Sequence, residues 1–184
     1  TYDAERRPVG AFTTEQAYSR YVTRTAPYLG TDGMQPVAPD LDVELGYRYD
    51  SAGICHDGDP GPLHADPRSS NARAGTRAPH VWLERNGQRR STIDLFDGHF
   101  VLFAGSEAQE WCDAARTVAG ALDVPLDIHR VGDELDDQVA SAYALGSRGV
   151  VLIRPDGFVA WRPKTPAASP SAVAAAFAQV TFRN

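Results

Sequence analysis

The chain has 184 residues, of which 42% are hydrophobic and 23% charged, with a formal net charge of -6. That length can bury one good core and an appendage, and the acidic balance argues against a nucleic-acid surface. No apolar run approaches the ~20 residues of a membrane helix, no signal peptide is legible at Thr1, and a cytoplasmic location is expected.

Tyr2-Asp-Ala-Glu5-Arg6-Arg7-Pro8 reads as the end of a charged helix stopped by proline. Thr13-Thr-Glu-Gln16 has the form of a capping box that starts a second helix through about Thr25, with Ala17, Tyr18, Tyr21 and Val22 on one side. Leu41 to Tyr49 alternates apolar and polar residues, which predicts one extended strand. Ser51 to Thr76 is rich in Gly, Pro, Asp and Ser, a long irregular segment for a compact domain. His80 to Glu84 and Ser91 to Leu95 resume strand character around the hairpin signal Asn86-Gly87.

Phe100 to Gly105 is a short apolar strand. The helix expected over Ser106 to Asp123 opens on an S-x-x-Q capping box, Ser106 and Gln109, and carries the stripe Trp111, Ala115, Val118 and Leu122. Val124 to Val131 predicts a strand and Glu134 to Leu145 a helix, with the acidic run Asp133 to Asp137 at its start. Gly149 to Arg154 and Phe158 to Trp161 form a hairpin around Pro155-Asp156-Gly157. Ser169-Pro170 opens the last helix, through Phe182, with Val173, Phe177 and Val180 on its apolar face.

From Arg89 to Phe182 the order is β-α-β-α-β-β-α, the order of a thioredoxin-like α/β domain. A redox member places Cys-x-x-Cys where the first strand meets its helix, because a helix N-terminus lowers a thiol pKa. Here that place holds Ser106-Glu107-Ala108-Gln109, and Gly149-Val150 stands where a redox member has proline before its third strand. Cys55 and Cys112 lie far apart in sequence; two reduced, buried cysteines are expected rather than a peroxidatic or disulfide pair. The sequence thus divides into a thioredoxin-like domain over 77–184 and a linker or docking segment over 1–76. A helix, a strand and a long loop cannot enclose a core. The segment is therefore expected to rest on a second, missing body, with the chain a piece of a larger protein cut near Thr1.

Four segments carry a family resemblance. Tyr2 to Pro8 resembles the Y-x-x-E-R-x-P segment that follows the flavin domain of single-component FAD aromatic hydroxylases. Glu44 to Tyr49, Gly75 to His80 and Arg154 to Trp161 resemble parts of the C-terminal third of the polyketide hydroxylases in that family. Each segment is weak alone; the four stand in the right order. The resemblance implies a parent with an FAD-binding domain, a substrate domain and a thioredoxin-like C-terminal domain. Such a parent uses NAD(P)H and O2 to hydroxylate an aromatic polyketide. G-x-G-x-x-G is absent, so no cofactor-binding residue is assigned here, and FAD and NAD(P)H are implied for the parent alone. A stand-alone, redox-inactive thioredoxin-like binding module is the rival reading; a thiol peroxidase is a third, disfavoured by the missing Cys-x-x-Cys.

No catalytic residue is assigned, since no Ser-His-Asp or Cys-His arrangement is recognisable. His56 and His64 share their loop with Asp57, Asp59 and Asp66, but the spacing fits no usual metal pattern, and no metal site is assigned. Trp82, Trp111 and Trp161 read as core packing. Glu5, Arg6, Arg7, Tyr18, Tyr21, Arg77 and His80 are the candidates for an interface with the missing FAD-binding and substrate domains. Neither nucleic acid nor membrane is expected as a partner.

Overall fold

Four short runs of large apolar residues build the central sheet of the computed structural model, which describes residues 1–56, 58, 61–85, 87–163 and 169–183. Asp57, Asp59, Asn86 and Lys164 lie outside these residues. The strands are β3 (Phe100–Ala104), β4 (Leu126–Arg130), β5 (Val150–Ile153) and β6 (Val159–Trp161), preceded by a separate hairpin of β1 (Trp82–Arg85) and β2 (Gln88–Ser91). Their order in the sheet is β4-β3-β5-β6. The pair β3–β4 is parallel; β3–β5 and β5–β6 are antiparallel.

Side chains alternate across a strand, and both faces are covered. Leu102, Ala104, Val150 and Leu152 face α3 (Gln109–Ala121) and α5 (Pro170–Thr181). Val101, Phe103, Val151 and Ile153 face Val139 and Tyr143 at α4 (Asp137–Ala142), together with Leu83, Leu95 and Phe96. The expected stripes meet the first face: Trp111, Ala115, Val173, Phe177 and Val180 are buried there, with Val118 and Leu122 packed on their edge. Cys55 and Cys112 are free thiols in the same cluster, and burial raises the pKa of both.

Several elements differ from the sequence-based expectation. Pro8 does not stop a helix: α1 runs unbroken over Tyr2–Arg24. A proline removes one hydrogen bond and crowds the preceding turn, but tertiary anchors hold this helix on both sides of it. Before it Glu5 is tied to Arg154, and after it Gln16 donates to Pro36 O (3.0 Å) and accepts from Ala38 N (2.7 Å). Gln16 is thus a buried tie rather than half of a capping box. The inner face of α1 is Gln16, Ser19 and Val22, so Tyr18 and Tyr21 point outward, 52% and 50% exposed.

Leu41 to Tyr49 is not one strand. It starts as a short helix, α2 (Asp40–Glu44), and then forms an isolated bridge from Tyr47 to His64. Among the described residues no neighbouring strand is placed to complete a ladder at 40–44, and the backbone satisfies itself with bonds such as Leu45 N to Leu41 O (2.9 Å). Thr92–Leu95 is a 3-10 turn rather than strand, because Ser91 accepts from Ile93 N and donates its own N–H to Asp94. The Ser106–Gln109 box does not form: α3 starts at Gln109, whose side chain accepts from Arg130 instead. Asp136, which accepts from Gln138 N and Val139 N, starts α4 later than the acidic run suggests.

Segment 51–76 is tied to the free edge of β6. Cys55 N donates to Ala160 O (2.8 Å), Gly75 N to Val159 O (2.7 Å) and Val159 N to Thr76 O (2.9 Å).

Candidate functional site

The first turn of α1 meets the β5–β6 turn. Glu5 is 5% exposed. Its carboxylate accepts from Arg154 Nη1 at 2.6 Å, Arg154 Nη2 at 3.2 Å and Ser51 Oγ at 2.6 Å. The same guanidinium donates to Asp156 through Nε (3.1 Å) and Nη2 (2.6 Å). Burial alone would raise the Glu5 pKa, but the bonds from Arg154 and Ser51 outweigh it and hold the carboxyl below its ordinary range. For Arg154, burial opposes the charge while Glu5 and Asp156 favour it, and the net direction is upward.

Behind this pair lies an aromatic cluster, Tyr47, Tyr49 and Phe158, packed with Ile54, Ala74 and Val9. Tyr49 stacks on Phe158 with ring centroids 4.1 Å apart. Arg6 lies 5.7 Å and Arg154 6.0 Å from the Tyr49 ring. Arg77 sits 5.2 Å from both the Tyr47 and Phe158 rings and donates to Tyr47 Oη at 2.6 Å. Such cation–π contacts are each worth ~0.5–2 kcal/mol, more as they are desolvated. Burial, reinforced by Tyr47, pushes the Tyr49 phenol up to about 12. Tyr47 and Tyr49 share a face because they are two apart on extended backbone; Arg48 points the other way, buried beside Asp50 and His56.

Gly75 makes the chain crossing possible. Its φ of +88° suits glycine, its carbonyl accepts from Tyr49 N, and a Cβ here would be driven into the Tyr49 carbonyl.

The sequence candidates therefore separate. Glu5, Arg6 and Arg77 come together in this cluster. His80 stands beside it, edge-on to Trp82 at 4.8 Å. Arg7 is exposed and faces Asp3 at 3.9 Å, while Tyr18 and Tyr21 lie on the outer face of α1, away from the cluster. Ser51, Arg154 and Asp156 were not among the interface candidates, although Arg154 and Asp156 fall in the family-like segment Arg154 to Trp161. Arg154 stands 149 positions from Glu5, and no local pattern signals a partner at that range.

Among the described residues the site has no nucleophile paired with a base, and the charges of Glu5, Arg154 and Asp156 are spent in fixing one segment to another. Among the described residues no group of three His, Cys, Asp or Glu is placed to hold a metal ion. His56 Nε2 donates to Asp50 at 2.8 Å, and His64 stacks on Phe12 at 3.6 Å with its pKa lowered by burial. Gly105, the glycine ahead of α3, faces the carbonyl oxygens of Gly146 and Ser147, acceptors that repel a phosphate.

Residues 71–181 match the family described as aromatic-ring hydroxylase, C-terminal. The chain is 40% identical over 181 residues to a 4-methyl-5-nitrocatechol 5-monooxygenase from a Burkholderia species, covering 94% of this chain and 33% of that protein. It is 37% identical over 172 residues to an aklavinone 12-hydroxylase from Streptomyces purpurascens, covering 91% of this chain and 32% of that protein. The crystal structure of aklavinone-11 hydroxylase in ternary complex with FAD and aklavinone resembles it with a TM-score of 0.88 at 34% identity, over 100% of this chain and 35% of that one. The chain spans about a third of the length of these relatives.

Proposed function

The chain belongs to the aromatic-ring hydroxylase C-terminal family, and we propose that it is the C-terminal part of an FAD-dependent monooxygenase that hydroxylates an aromatic polyketide with NAD(P)H and O2. The observation that carries this reading is convergence. Glu5, Tyr49, Gly75–Arg77 and Arg154–Phe158 come from four separate family-like segments, yet they meet in one cluster. The names of relatives support the substrate class: two are an aklavinone hydroxylase and a polyketide hydroxylase.

In the parent this part is structural and performs no chemistry of its own. Residues 77–184 are a thioredoxin-like domain; the sheet order β4-β3-β5-β6, with one parallel and two antiparallel pairs, supports that reading. Residues 1–76 are the docking segment. Glu5, Arg6 and Arg77 secure it from behind, His80 stands at its rim, and Arg7, Tyr18 and Tyr21 offer the outward surface to the FAD-binding and substrate domains. Flavin and NAD(P)H are held by those other domains. Two free buried thiols support a reducing, cytoplasmic setting, and no helix among the described residues is long and apolar enough to cross a membrane.

The test is expression of the reading frame that contains this chain, with and without residues 1–184. The whole enzyme is expected to couple NAD(P)H oxidation to ring hydroxylation, and the 184-residue chain to be colourless and inactive. Hydroxylation by the isolated chain would overturn the structural role. A reading frame with no G-x-G-x-x-G region joined before Thr1 would favour the stand-alone binding module.

A further inference from the structure

A cavity of about 930 Å³ opens beside the clamp that Arg154 forms with Glu5 and Asp156, bounded by α2, segment 77–80, the 3-10 turn after β2 and the β5–β6 turn. That volume lies within the ~300–1,000 Å³ of small-ligand sites, which pair apolar walls with a few polar groups. The walls here include Leu41, Leu45, Pro79, Ile93 and Phe96. Leu45 and Ile93 are 43% and 51% exposed, so no described residue of this chain covers these walls.

Arg68, Arg77 and Asp156 are the charged residues in the lining. Arg68 is held by Asp66 through two bonds of 3.0 Å, and Asp156 is held by Arg154. Arg77 differs. Its partners are the Tyr47 hydroxyl and two ring faces, and among the described residues no carboxylate pairs with it. The cavity thus combines apolar walls with one cation, Arg77, to which no described residue supplies a counter-charge.

Independently of the parent's reaction, we propose that this cavity binds a small planar aromatic acid, with its anionic group on Arg77 and its ring against Pro79, Ile93 and Phe96. A neutral aromatic would bury the same area but leave the guanidinium without an anion; a free inorganic anion would leave the apolar walls wet. Only a molecule carrying both features uses the whole lining.

The experiment is a titration of the 184-residue chain with naphthalene-2-carboxylate and with its neutral counterpart 2-naphthamide, followed by amide shifts in 1H–15N spectra. Saturable shifts at Ala78, His80, Ile93 and Gly157 are expected, with the carboxylate binding ~10-fold tighter than the amide, a difference of ~1.4 kcal/mol. Arg77→Gln should abolish that preference and leave the amide's affinity as it was. Because Arg77 also steadies Tyr47, a second variant is needed: Ile93→Asp, on an exposed wall, should weaken the carboxylate more than the amide with the rest of the spectrum unchanged. Equal affinity for the two probes, shifts that map elsewhere, or no saturation by ~1 mM, the weak end of specific binding, would each overturn the proposal. So would tighter binding of an acidic pentapeptide, which would assign the cavity to a protein segment.

Discussion

Glu5 and Arg154 form the interaction most exposed to test by substitution. Arg154→Leu leaves a buried carboxylate without its cation and should destabilise the chain by about 3 kcal/mol, measured by urea denaturation. The pH dependence follows from the direction of the Glu5 shift. Its folded pKa lies below its unfolded one, so its stabilising contribution is full above the ordinary glutamate range. It is lost as pH falls through the lower folded value. Glu5→Gln should therefore flatten the acid side of the stability curve, and an unchanged acid limb would contradict the clamp. Gly75→Ala should cost about 2 kcal/mol or more, since both its φ and the Tyr49 carbonyl oppose a Cβ; a thermal melt equal to wild type would show that the crossing relaxes. At this scale the sequence told which residue types mattered but not who met whom. Glu5, Arg6, Arg77 and Arg154 were legible as parts of motifs, but the pairing of Arg154 with Glu5 and the role of Ser51 arise only through contacts between distant parts of the chain.

Among the elements, legibility tracked burial by a regular neighbour. The strands β3 and β5 and the stripes of α3 and α5 stood out because their periodicity reflects packing on both faces of a sheet. Leu41 to Tyr49 misled because an alternating pattern gives a strand only where another strand completes the ladder. Pro8 misled because anchors on both sides outweighed a local penalty. The capping box at Thr13 misled because Gln16 had a distant partner in segment 36–38. The same helix offers a test of its outer face. Tyr18→Ser with Tyr21→Ser should change stability by no more than ~0.5 kcal/mol, as surface substitutions do, while weakening association with the parent's other domains. Sedimentation of the two-part mixture, beside thermal melting of each form, would read both effects. Unfolding of the double variant would mean that α1 depends on those rings for its own packing.

At the scale of the molecule, the chain is a double-faced sheet with an arm fastened across its edge strand. Isolated, it should show no insulin-disulfide reductase activity, because Ser106 to Gln109 supplies no thiol at the start of α3 and both cysteines are buried with raised pKa values; turnover like that of a thioredoxin would contradict this. The clamp has a kinetic side as well. Glu5 and Arg154 are 149 positions apart, so their pair closes nearly the whole chain into a ring, and loop closure of that length is entropically unfavourable until the intervening sheet exists. The arm must then dock late. Late contacts govern how fast a structure comes apart rather than how fast it forms. Arg154→Leu should accordingly raise the unfolding rate and leave refolding of the sheet at its wild-type speed. Amide exchange in α1 should precede that in β3 and β5, which makes the arm the first region a protease reaches.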